Sequence, residues 1–152
     1  MALQPSDIPG NFTLQERSER APSDAGQWAH DHGWKKGYHV AYQKIDPSSF
    51  SGTIISQSIS IYPIENISLV IPFTVETAKN LTSESISVDE LSIPNIGDSA
   101  KAFRFSDKSD NIKEYLIAFV KKDVYEDLDM RGTITDYETL KQLANYAAAK
   151  IK

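Results

Sequence analysis

The densest spacing of oxygen ligands in the chain is Asp127-Leu-Asp129-Met-Arg131-Gly132-Thr133-Ile134-Thr135-Asp136-Tyr137-Glu138. Read as a calcium loop, it puts acids at positions one and three, glycine at six, isoleucine at eight and glutamate at twelve, ahead of a helix. Such a loop wraps a hard cation in carboxylate and carbonyl oxygen. Arg131 stands at position five, where a ligand oxygen belongs and a positive charge repels calcium. The residues before it are β-branched and aromatic rather than helical, and no second loop is present to pair with this one. A strand ending at Gly132, followed by a capped helix, explains the same residues without a metal.

His30-Asp31-His32, with His39 nearby, is the second grouping. On a strand His30 and His32 share a face and can chelate a divalent ion; on a helix they do not. Without a third imidazole or a placed carboxylate the zinc set is incomplete. Serines are plentiful, but none sits in a G-x-S-x-G turn, and the seven glycines are too scattered to cradle phosphate. The sequence therefore predicts no catalytic residue and no cofactor. The rival reading is a metal-binding protein, through Asp127, Asp129 and Glu138 or through His30 and His32, or a hydrolase built on those histidines. The third grouping is aromatic. Trp28, Trp34, Tyr38 and Tyr42 gather near a polar segment, and such side chains often anchor ligands or partner proteins. They equally often form the edge of a core beneath a long loop.

Composition narrows the classes. A chain of 152 residues has the size of one domain, so a single unit over 1–152 is expected. The formal charge of −5, without a cluster of Lys or Arg, disfavours nucleic acid as a partner. Cysteine is absent, which rules out disulfides and thiolate chemistry. No apolar run is long enough to predict a membrane span. Three N-x-S/T sequons, at Asn11, Asn66 and Asn80, exceed the roughly one expected by chance and hint at an exported surface.

These residues need elements to position them. Alternation predicts strands over 11–17, 36–45 and 53–62, the last with Ile55, Ile59 and Ile61 inward and Ser56, Ser58 and Ser60 outward. A short helix is expected within 21–34, capped by Ser23 or Asp24 and stopped by Gly33. A turn is expected over 46–52. A helical stripe covers at least 74–81, with Pro72 a poor fit to a helix interior. Further strands follow over 86–93 and 100–106. A hairpin of 115–120 with 124–130 comes next, its first strand apolar on both faces. Thr135-x-x-Glu138 reads as a capping box. After it, Tyr137, Leu140, Leu143, Ala144, Ala147, Ala148 and Ile151 recur at helical spacing.

The turn Ile93-Pro94-Asn95-Ile96-Gly97-Asp98-Ser99-Ala100, the hairpin 115–125 and the final helix from Leu140 to Ile151 together resemble small exported prokaryotic proteins of the PsbP/Mog1-like fold. The resemblance implies an α+β domain, an α-β-α sandwich in which helices flank an antiparallel sheet and the C-terminal helix packs on it. It also implies an extracytoplasmic accessory or binding module, tethered through a leader that this chain would have lost. It transfers no functional residue. The expected function is thus non-enzymatic binding of an unknown protein or small ligand, with Trp28, Trp34, Tyr38 and Tyr42 as the working surface.

Overall fold

The computed structural model describes residues 1–49 and 51–152. Seven strands form one sheet in the order β1-β2-β3-β7-β6-β5-β4, with every neighbouring pair antiparallel. The strands are β1 (Thr13–Arg20), β2 (Lys36–Asp46), β3 (Ser51–Ile61), β4 (Ile86–Leu91), β5 (Ser99–Asp107), β6 (Lys113–Lys121) and β7 (Val124–Gly132). Two meanders, β1-β2-β3 and β4-β5-β6-β7, are joined where β3 pairs with β7. Helix α1 (Gln27–Asp31) links β1 to β2, α2 (Val70–Asn80) carries the chain across the sheet from β3 to β4, and α3 (Tyr137–Ala149) follows β7.

Side chains alternate across a sheet, so β6 must serve two cores. Ile117 and Phe119 join the core that contains α3, while Ala118 and Val120 join the one that contains α1 and α2. Ile117, Ala118 and Phe119 are wholly buried, as a central strand with cover on both sides requires. The result is α+β in three layers. Leu140, Leu143, Ala144 and Ala147 of α3 are also buried, and the two alanines let the helix axis lie close to the sheet.

Several expectations change in detail. Helix α3 is capped by Asp136, not Thr135: the Asp136 carboxylate accepts from the amides of Glu138 and Thr139. A carboxylate one residue later wins because it takes two N–H groups and also complements the helix dipole. Pro72 lies in the first turn of α2, where a missing N–H costs little, and a 3-10 turn over Ile67–Leu69 leads into it. The helix expected within 21–34 divides into a 3-10 turn, Pro22–Asp24, and α1, whose cap is Gly26. Gly33 does end it, at φ +78, with Pro63 so near that a Cβ would sit 2.8 Å from its Cγ. The turn over 46–52 is present at Pro47–Ser49, and Phe50 lies outside the described residues.

The serine face of β3 is not a solvent face throughout. Ser60 is buried beneath Trp34 and accepts the indole N–H at 3.2 Å. On the opposite, apolar face of the same strand, Gln57 is buried between Ile55 and Ile59.

Candidate functional site

The four aromatic residues do not form one surface. Tyr38 and Tyr42 point to the α3 face of β2, with Val40 between them, whereas Trp28 and Trp34 pack on the other face with Tyr62, Ile67 and Val70. Tyr42 is 1% exposed, and its hydroxyl donates to the Leu3 carbonyl at 2.9 Å, so it is a core residue. The Trp28 ring lies parallel to both His32 and Phe73, each with its centroid 4.0 Å away. Two rings that close cannot share one side of an indole, so both faces of Trp28 are covered. Its role is to join α1 to α2, and no ring face remains for a ligand.

His30 and His32 are also occupied. They fall on α1 and at its end, and their rings diverge: His30 Nε2 bonds the Pro22 carbonyl at 2.8 Å and His32 Nδ1 the Trp28 carbonyl at 2.7 Å. Asp127 and Asp129 lie inside β7, hydrogen-bonded to β3 on one side and β6 on the other, and Glu138 is exposed on α3 beside Lys141. The calcium loop does not form, because its first six residues are central strand. Gly132 ends that strand at φ +156, where a Cβ would meet the Gly52 carbonyl oxygen at 2.1 Å, so close backbone approach accounts for the glycine. Among the described residues, no group of three or more His, Asp or Glu side chains converges as a metal site.

Of the aromatic quartet, Tyr38 lines a groove. A groove of about 370 Å³ opens where β1 ends beside β2, and the chain's first residues wall its other side. Tyr38, Ile59 and Ile61 give it an apolar floor, Met1 and Ala2 a wall, and Glu19 and Lys36 a rim of opposite charge. The floor is rigid: Tyr38 and Ile59 are paired across β2 and β3, each inside a ladder bonded on both sides. The sequence contained Tyr38 as a candidate but gave no sign that Ile59, Ile61 and the N-terminal residues would meet it. Those contacts come from strand pairing and from the path of residues 1–8.

That path is fixed by a buried polar chain. The Leu3 amide donates to Gln57 Oε1 at 2.8 Å, and Gln57 Nε2 donates to Glu126 Oε2 at 2.6 Å. The Leu3 carbonyl accepts from Tyr42 and from Arg17. Lys150 pairs with Asp7, tying the same segment to the end of α3. Glu126 is fully buried, and its Oε1 has no hydrogen-bond partner among the described residues. Burial raises its pKa to about 7, against the pull of the Gln57 bond, the Met1 amine and Lys150. On the other face of β7, burial raises Asp127 to about 6 despite bonds from Ser58 and Tyr125. Burial and the neighbouring Glu114 and Asp127 charges raise Asp129 to about 7.

His39, Ser58 and Asp127 stand in one row across β2, β3 and β7, with Ser58 in the middle. His39 Nδ1 is 3.5 Å from Ser58 Oγ, at the limit of a hydrogen bond. A hydrolytic triad needs the imidazole between serine and carboxylate, so this order cannot relay a proton from serine through histidine. Of the sequons, Asn11 and Asn80 are exposed, while half-buried Asn66 donates to the His32 carbonyl at 3.0 Å.

No family model and no curated protein matches this chain. Among solved structures, it is similar to the extracellular domain of PknH from Mycobacterium tuberculosis. The match has a TM-score of 0.71 and 8% identity, covering 97% of this chain and 92% of that one. At that identity the likeness concerns the fold alone. Among the described residues, no helix is long and apolar enough to cross a membrane.

Proposed function

We propose that this chain is a non-enzymatic binding domain that works outside the cytoplasm, and that the groove beside Tyr38 seats a small amphipathic molecule. The observation that carries this reading is the groove's make-up: an apolar floor of Tyr38, Ile59 and Ile61 under a rim holding Lys36 and Glu19. Binding sites for small molecules are commonly concave and largely apolar, with a few polar groups that fix orientation. A ligand with one apolar body and a charged head fits both parts. The extracytoplasmic setting draws its support from the three sequons and from the fold shared with a domain described as extracellular. The PsbP/Mog1-like relationship belongs to the same proposal, supported by the three layers and the C-terminal helix on the sheet.

An apolar dye with an anionic head, 8-anilinonaphthalene-1-sulfonate, is a direct probe. It should bind the folded protein saturably at one site and be displaced by competing amphiphiles. Tyr38→Ala and Lys36→Glu should each weaken it about tenfold, the scale of losing one good contact. Unchanged dye affinity in both variants, with unchanged circular dichroism, would remove the groove from consideration.

A further inference from the structure

We infer that the N-terminal strap, residues 1–8, stays clamped to the sheet while the buried Glu126 carboxyl is neutral and loosens when it ionises. The strap is no loose tail. Leu3 is wholly buried and Ile8 is 7% exposed, and both belong to the α3-side core. Two buried side chains link it to the sheet interior: the Gln57 amide, whose two ends serve Leu3 and Glu126, and the Tyr42 hydroxyl, which donates to the Leu3 carbonyl. Beneath it, Glu126 faces only carbon across the sheet, with Ile59 opposite on β3 and Phe119 on β6.

A carboxylate in that position has one neutral donor and one unpartnered oxygen. A buried ion needs several donors or an opposite charge in contact, and a neutral acid needs fewer. The charged and titratable groups around it do not supply the want. Lys150, at the C-terminal cap of α3, is engaged with Asp7 and the Ala2 carbonyl, and Arg17 of β1 with Leu3, Gln4 and Tyr42. The strap brings the Met1 amine and Asp7, β2 the phenols of Tyr38 and Tyr42, and Asp127 adds negative charge on the opposite face. Ionised Glu126 can be solvated most directly by breaking the Leu3–Gln57 bond and lifting the strap. Burial holds the proton on Glu126 up to about neutral pH, which puts the change within an accessible range. Because Met1 and Ala2 wall the groove, release also opens it; that consequence alone rests on the groove reading.

Nuclear magnetic resonance of the full chain between pH 5 and 9 separates the two claims. The Leu3 amide should lose protection about tenfold per pH unit between pH 5 and about 7, after correction for base-catalysed exchange. Above pH 7, where Glu126 is ionised in both the clamped and the released state, protection should level off. In Glu126→Gln, a neutral isostere, Leu3 protection should stay level across the range. Equal loss in both proteins overturns the proposal. Should the variant fail to fold, the Glu126 carboxyl carbon of the unaltered protein gives the answer. Titration where Leu3 protection levels off supports the clamp, and titration below pH 5, or out of step with that levelling, overturns it. Dye binding at pH 6 and pH 9 then reports on the groove, whichever way the strap behaves.

Discussion

Glu126, Asp127 and Asp129 sit almost consecutively on one central strand, and burial raises all three above ordinary carboxylate values. An acid whose folded pKa exceeds its unfolded one binds its proton more tightly in the native state. Stability is then greatest below the unfolded value and falls as pH rises through the folded one. For Glu126 that window runs from 4.5 to about 7. The shift corresponds to about 3 kcal/mol, lost by pH 8. Glu126→Gln should therefore be neutral or slightly harmful at pH 4 but stabilising at pH 8, by about 1–3 kcal/mol in urea unfolding. A variant destabilised equally at both pH values would show that the carboxyl is not strained when ionised.

At the scale of elements, the cap of α3 and the stop of α1 make separate predictions. Asp136 satisfies two backbone N–H groups and also accepts from the Thr139 hydroxyl, whereas the Thr135 side chain makes no capping bond. Asp136→Ala should cost about 1 kcal/mol and Thr135→Ala a few tenths, read from the shift in denaturation midpoint. Bonds to Thr139 and Glu138 hold the Asp136 carboxyl below its usual value, so the cap's contribution fades as pH falls under 3.8. Gly33→Ala meets both an unfavourable φ and the ring of Pro63. It should destabilise by about 1–3 kcal/mol and loosen the Trp28–Phe73 stack, visible as a change in tryptophan emission.

For the whole molecule, the raised acids and the lowered ones bracket an optimum. Asp7 is partly buried, which pulls its pKa up, but its bonds to Lys150 and the Gln4 amide outweigh that and hold it low. Its contribution is present above 3.8 and is lost as pH falls through the lower folded value. The three raised acids penalise the native state increasingly as pH climbs from their ordinary values of 3.8 to 4.5 up to about 6 to 7. The thermal midpoint should therefore peak at about pH 4 to 5 and decline towards pH 8. A midpoint that rises steadily from pH 5 to pH 8 would contradict these burial assignments.

Local pattern was enough to read the hairpin of β6 with β7, the two-sided burial of Ile117–Val120 and the alanine stripe of α3. Those features depend on neighbours in sequence and on periodicities that side chains obey wherever they lie. Gly33 was legible as a stop for the same reason. The groove and the strap were not, because each depends on segments far apart in the chain: Leu3 with Gln57, Gln57 with Glu126, Tyr38 with Ile61. Trp28 and Trp34 could be picked out by type, yet only packing decides whether an indole face is open or covered. Sheet parity put Tyr38 with Tyr42 on one side, and the path of α1 and the connection after it put Trp28 and Trp34 on the other. Residue type and spacing determined the elements; long-range strand pairing decided which of their side chains share a surface.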